Sequence, residues 1–120
     1  MPDLLRMNKR ITVLHLIETL GRGGAERLLL STLKHIDRDR FNPIVVSLFD
    51  TLDLKNDFED LGIPVFGLSM KSRFDWINGI FKLVSIIKKN NADIIHTHLF
   101  HANIYGRIAS LFLGATAVVT

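Results

Sequence analysis

The chain has 120 residues, 48% of them hydrophobic and 22% charged, which is the length and composition of one globular domain able to bury a core. It contains no cysteine, so disulfide scaffolds, zinc–thiolate sites and cysteine nucleophiles are excluded, and a reducing cytoplasm is the expected compartment. With 15 Lys and Arg against 12 Asp and Glu, the net charge of +3 suits phosphates or anionic lipid but is too small to point to nucleic acid.

Residues 1–9 lack the long apolar core of a signal peptide and read as a flexible tail ahead of a single domain over 10–120. No apolar run reaches the length needed to cross a bilayer. Ile11–Ile17 is apolar at nearly every position, as a parallel strand covered on both faces should be, and His15 inside it reads as a satisfied core histidine. A helix is expected from Ala25 to Ile36, with Ala25, Leu28, Leu29, Leu33 and Ile36 on one face. After the polar turn Asp37–Arg40, Pro43–Phe49 reads as the second strand, with Pro43 placed at its start because it cannot donate to a ladder.

A short helix over Asp53–Leu61 is expected to stop at Gly62 in the left-handed conformation. Ile63–Leu68 is a third strand, and Asp75–Lys89 is the longest helix, with Ile77, Ile80, Phe81, Val84 and Ile87 on one side. Asp93–His98 is the fourth strand, with a polar end, and Ala102–Leu113 the next helix. Ala115–Thr120 begins a fifth strand. Alternating strands and helices predict an α/β fold: a Rossmann-like open parallel sheet with helices on both faces and the first strand central, beside the second and fourth. A sequence ending on strand residues, without a helix to cover them, is expected to be the front part of something longer. A short closing edge strand is the other reading.

Two segments carry chemistry. The first is Gly21-Arg22-Gly23-Gly24, between the first strand and the helix. A dinucleotide fingerprint needs a third glycine where this chain has Glu26, and the Lys-Ser or Lys-Thr end of a P-loop is also missing. What is left is a glycine turn that can bring backbone N–H groups, at the positive end of a helix dipole, to a ligand. The plain alternative is a tight strand-to-helix corner, with Glu26 complementing the dipole. The second segment is His96-Thr97-His98, followed by His101. Alternate strand residues share a face, so His96 and His98 point the same way and His98 sits at the carboxyl edge. Ligands of open α/β sheets bind at that edge, where the glycine turn also lies. Structural hydrogen bonding and metal binding compete as readings of these imidazoles. No carboxylate other than Asp93 lies near in sequence, and no metal is assigned.

The stretch Lys71–Lys89 joins basic residues to Phe74, Trp76 and Phe81. It suits a peripheral contact with an anionic membrane, but an ordinary crossover helix with lysines in water is the favoured reading.

Leu20-Gly21-Arg22-Gly23-Gly24-Ala25-Glu26-Arg27 after a strand, combined with Asp93-Ile94-Ile95-His96-Thr97-His98 running on to Arg107, resembles the amino-terminal half of the family-4 retaining glycosyltransferases. The resemblance extends from Arg10 to Thr120. It implies one half of a GT-B fold, in which two Rossmann-like domains face each other across a cleft, here an acceptor-side domain incomplete at its carboxyl end. It also implies transfer of a sugar from a nucleotide-sugar donor to a polysaccharide or lipid-linked acceptor, with no cofactor. Gly23 and Gly24 correspond to the turn beside the donor diphosphate and acceptor, and His101 lies near them as a further substrate contact. His98 corresponds to the cleft histidine beside the transferred sugar, which makes it the candidate catalytic residue. The Arg, Lys and Glu groups that hold the donor belong to the family's second domain and match nothing here, so the chain alone is expected to be inactive. Members of this type often work near the inner face of a membrane. A small non-catalytic α/β ligand-binding or regulatory module is the alternative reading.

Overall fold

A computed structural model describes residues 10–72, 75–111 and 117–119. The expected flexible tail over 1–9, Phe74, the last helix beyond 111 and positions 115, 116 and 120 of the final strand lie outside the described residues. The elements run β1 (Ile11–Ile17), α1 (Gly24–Lys34), β2 (Phe41–Phe49), α2 (Lys55–Asp60), β3 (Val65–Met70), α3 (Trp76–Asn90), β4 (Ile94–Thr97), α4 (Phe100–Leu111) and β5 (Ala117–Val119). The five strands form one sheet in the order β3-β2-β1-β4-β5, with every neighbouring pair parallel. The first strand is therefore central, between the second and fourth, as its continuous apolar run requires.

Alternation along the strands sorts the core into two layers. Leu14 and Leu16 of β1 pack with Ile44, Val46 and Leu48 of β2, Leu83 and Ile87 of α3, and Ala102 of α4. On the opposite face, Ile17 and Val45 pack with Leu29 and Leu33 of α1 and Phe58 of α2. His15 shares the parity of Ile17, so it faces the α1 side. Gly62 ends the turn after α2 with φ of +76°, the left-handed stop read from the sequence.

Several boundaries shift, β3 for example running Val65–Met70 rather than Ile63–Leu68, and three differences bear on the packing or the site. β2 starts at Phe41, so Pro43 lies inside the strand, opposite Val13. The Val45 N–H points to β3 and donates to the Pro64 carbonyl. The Pro43 nitrogen points the same way, but β3 pairs only from Val45 onward, so no ladder bond is lost. β4 ends at Thr97 rather than His98, and α4 begins at Phe100, two residues earlier than expected. The third difference is the buried seam of α3, which is Gly79, Ile80, Leu83 and Ile87, whereas Ile77 and Phe81 are exposed. Gly79 explains the rotation. It presses onto β3 so closely that a Cβ there would lie 2.6 Å from Met70 Sδ. Gly106 does the same for α4, where a Cβ would stand 2.5 Å from Thr97 Cγ2 and 3.4 Å from Ile95 Cγ2.

These two contacts predict opposite outcomes for one substitution. Alanine gains roughly 1 kcal/mol over glycine in a helix interior. At Gly79 the obstacle is the end of a flexible methionine, so Gly79→Ala should be close to neutral. At Gly106 the obstacle is a β-branched side chain on a buried strand, and overpacking of that kind costs about 1–3 kcal/mol. Gly106→Ala should therefore lower the urea midpoint clearly. Equal midpoints for the two variants would refute this account of how α4 is seated.

Candidate functional site

The carboxyl ends of β1 and β4 form the centre of the site. The backbone builds it before any side chain contributes. His15 is in direct register with His96, and the His98 N–H donates to the Leu16 carbonyl at 2.9 Å. The loop after β1 is anchored to the loop after β2. Phe49 N–H donates to Glu18 O, Leu20 N–H to Thr51 O, and Leu54 N–H to Leu20 O. Leu20 is fully buried, so the glycine turn starts from a rigid base.

The glycine turn is itself capped. The Glu26 side chain folds back, and its Oε2 accepts the Gly23 N–H at 2.8 Å, one half of a capping box. Glu26 is buried, and a Cβ on Gly23 would come within 2.5 Å of that carboxylate oxygen. The Gly23 N–H is therefore already bonded, contrary to the picture of a turn with all its donors free. Gly23 is glycine because the returning carboxylate lies against it. Gly24 is different: a Cβ there would meet nothing within 4 Å, so its side faces open space. Sequence reasoning gave Glu26 only a dipole role. The Gly-x-x-Glu spacing was the signal for the cap.

His15, His96 and His98 converge on the α1 face. His15 Nδ1 and His98 Nε2 are 3.2 Å apart. The His96 and His98 ring centroids are 4.3 Å apart, and those of His15 and His96 are 5.3 Å apart. His15 is buried, and its Nε2 has no hydrogen-bond partner among the described residues. Burial drives its pKa down to about 3, helped by the repulsion that protonated His98 and His96 would add. Burial first, then His96, pushes His98 down to about 4, and burial also lowers His96. All three rings are neutral near pH 7. His15 is a core histidine in burial but not a satisfied one: its Nε2 has no partner among the described residues, and its neighbours are His96 and His98. Asp93 is not available to them: it opens the opposite end of β4, where its Oδ2 accepts the Thr12 N–H at 2.9 Å.

The cluster opens into a cavity of about 550 Å³ lined by His15, His96, Thr97, His98 and Leu99 on one side and by α1 from Ala25 to Leu33 on the other. The lining thus reaches Ala25, the residue after Gly24, but not Gly23 or Gly24 themselves. Leu99 makes the turn out of β4 with φ of +73°, a sparsely populated conformation for a leucine and a local store of strain. His101 points elsewhere. Its N–H and its Nδ1 both meet Glu18 Oε1, at 3.0 and 2.8 Å, and it borders a separate apolar depression with Trp76, Ile104, Tyr105 and Ile108. A polar groove that sequence reasoning did not anticipate runs along the ends of β1, β2 and β3, lined by Thr19, Asp50, Thr51 and Lys71 among others. Its residues come from three loops with no shared motif, so only the fold assembles them.

The sequence profile of Glycosyltransferase Family 4 matches residues 22–120. The capsular polysaccharide biosynthesis glycosyltransferase CapH of Staphylococcus aureus is 28% identical, over 82% of this chain and 30% of that protein. The crystal structure of Anabaena HepE in complex with UDP superposes with a TM-score of 0.69 at 27% identity, over 90% of this chain and 28% of that one. A glycosyltransferase from Rickettsia africae superposes with a TM-score of 0.71 over 92% of this chain and 29% of that one; at 23% identity it shows the shared fold. The chain thus spans under a third of the length of these relatives.

The histidine cluster gives stability a defined pH dependence. Unfolded histidine titrates near 6.5, whereas folded His15 and His98 titrate near 3 and 4. Between those values the unfolded chain binds more protons, so folding stability is fully present above about pH 7 and is lost as pH falls from 6.5 toward 4. Urea midpoints at pH 7.5, 6.0 and 5.0 should fall in that order, with a shallower decline for His15→Leu. A pH-independent midpoint over this range would contradict the burial of neutral imidazoles.

Proposed function

The chain belongs to glycosyltransferase family 4, and on that premise we propose that it supplies the acceptor side of an enzyme that transfers a sugar from a nucleotide-sugar donor to a polysaccharide or lipid-linked acceptor. One observation carries this reading: in a chain that matches the family over residues 22–120, the glycine turn and His98 leave adjacent parallel strands at the same edge of the sheet. The similarity to CapH, a capsular polysaccharide biosynthesis glycosyltransferase, supports a polysaccharide product. The HepE complexes with UDP, and with UDP and glucose, support a nucleotide-sugar donor. Nothing observed favours a non-catalytic module over this reading.

In this mechanism Gly24 leaves room for the sugar diphosphate against the start of α1, whose remaining N–H groups and dipole favour negative charge. His98, neutral near pH 7, acts as a hydrogen-bonding group toward a hydroxyl of the transferred sugar rather than as a cation. The groove of Thr19, Asp50, Thr51 and Lys71 offers hydroxyl, carboxylate and ammonium partners to a polyhydroxylated acceptor, and Glu18 holds His101 at the rim of the site. The main grip on the leaving diphosphate, a large catalytic term, falls to residues outside these 120. Retention of anomeric configuration follows from the family resemblance. No helix among the described residues is long and apolar enough to cross a membrane. Exposed Trp76, Ile77 and Phe81 on α3 give the proposed enzyme a means of resting on a membrane face in the cytoplasm.

In the transferase carrying this domain, His98→Ala should reduce turnover by about tenfold, the scale of losing one neutral hydrogen bond to the sugar. Its melting temperature should fall only by the few degrees that loss of the His15 Nδ1 partner costs, so turnover measured well below the melt reports the sugar contact. Gly24→Val should also reduce transfer, by filling the open side of the turn with a branched side chain. Turnover close to normal for His98→Ala, or a loss explained by a lower melting temperature, would make the histidine structural. For the 120-residue chain alone, calorimetry with nucleotide sugars should show weak binding. A complex of micromolar affinity, worth about 8 kcal/mol, would place the donor site inside this chain.

A further inference from the structure

We propose that His15, His96 and His98 form a binding site for a divalent transition-metal ion of the Zn²⁺ type. The site shares His98 with the proposed transfer site, but metal binding and sugar transfer are read by separate measurements, so either reading can fail without the other.

The first argument is geometric. One ring nitrogen from each of the three histidines can be chosen so that all lie within 4.8 Å of one another. The closest pair, His15 Nδ1 and His98 Nε2, is 3.2 Å apart. Two imidazole ligands of a tetrahedral zinc, with bonds of about 2.0–2.1 Å, are separated by about 3.3–3.4 Å, so this pair already has nearly the required spacing. His96 is half-buried on the same strand face, and its ring centroid lies 4.3 Å from that of His98 and 5.3 Å from that of His15.

The second argument is the donor set. Three imidazoles without a carboxylate suit zinc, copper or nickel and do not suit magnesium or calcium, which take oxygen ligands. The nearest acid in the strand, Asp93, is bonded to the Thr12 N–H at the other end of β4. The third argument is that hydrogen bonding leaves the cluster incomplete. The buried His15 ring has one nitrogen with a histidine neighbour and the other, Nε2, with no partner among the described residues. In either neutral tautomer one side of the ring is unsatisfied. An ion gives the three-histidine cluster a purpose.

The backbone holds the ligands in place. β1 and β4 pair in register at His15 and His96, and the His98 N–H is held by Leu16 O. Two ligands therefore come from a two-residue strand repeat, and the third from the neighbouring strand 81 residues earlier in the sequence. The fourth position faces the cavity along α1, open to solvent, so a water or an anionic oxygen would complete the coordination.

The test uses tag-free chain, stripped with a chelator and titrated with Zn²⁺ by calorimetry, with Co²⁺ as a spectroscopic probe. We expect one Zn²⁺ per chain with a micromolar or tighter dissociation constant, and the visible absorption of four-coordinate Co²⁺. His96→Gln, half-exposed and tolerant to change, should weaken binding at least a hundredfold while leaving the circular dichroism melt of the stripped protein unchanged. His15→Gln should do the same if it folds. His35→Gln, on the far end of α1, should bind as the parent does. No binding at 100 µM Zn²⁺ would overturn the proposal. So would binding that His96→Gln leaves intact or that His35→Gln abolishes.

Discussion

The pairing of β1 on both edges is the constraint on which the rest of this structure depends. β2 pairs with the central strand along its whole length and β4 from Val13 to Leu16, and six of its seven residues are buried. That pairing fixes parity. Leu14 and Leu16 must face α3 and α4, while His15 and Ile17 must face α1. A shift of one residue would exchange a histidine for a leucine on each face and place polar rings in the larger apolar layer. The same register sets His15 against His96 and lets Leu16 O capture the His98 N–H. The site is thus a consequence of how the core is aligned.

The chemistry at the edge is governed by partners more than by exposure. The Glu26 carboxylate consumes the Gly23 N–H, which makes the turn rigid and leaves Gly24 as its open side. Burial suppresses the protonation of all three imidazoles, and neighbouring rings add to it at His15 and His98, so the region is a neutral hydrogen-bonding surface rather than a cationic one. Positive charge near the edge comes instead from residues such as Lys71, on the β3 side, in a groove that also holds Asp50. The edge therefore has distinct parts: an imidazole-lined cavity against α1, a polar groove beyond β2, and the His101 rim tied to Glu18.

Close helix seating accounts for the outer surface. Gly79 and Gly106 let α3 and α4 approach the sheet to distances that a methyl group would obstruct. In α3 this turns Ile77 and Phe81 outward beside Trp76, producing an apolar strip on a helix that also carries lysines. In α4 it brings the helix start close to the end of β4. Only His98 and Leu99 separate the two elements, and Leu99 takes up the bend in a left-handed conformation. The strain lies next to the candidate catalytic histidine, where a stiff connection keeps that side chain in one place.

Much of this was already determined by the sequence. Continuous apolar runs at Ile11–Ile17 and Ile44–Phe49, separated by helical periodicity, allow only a covered parallel sheet with right-handed crossovers, because no other arrangement buries both faces of such strands. The Gly21–Gly24 turn and His96-Thr97-His98 were legible because they are local: each is a short motif whose place relative to a strand end follows from the strand itself. The tertiary structure alone decided what depends on contacts between distant segments. His15 was read as a lone core residue because the pairing that brings it to His96 and His98 spans more than 80 positions, and no spacing in one sequence encodes it. The α3 seam could not be chosen from periodicity, since Ile77, Ile80, Phe81 and Leu83 offer more than one apolar stripe. The approach of Gly79 to Met70 selected it. Pro43 could sit inside β2 only because β3 begins two residues later. Local patterning sets which elements form. Which side chains meet depends on long-range register and the clearance between layers, and these exist only once the chain has packed.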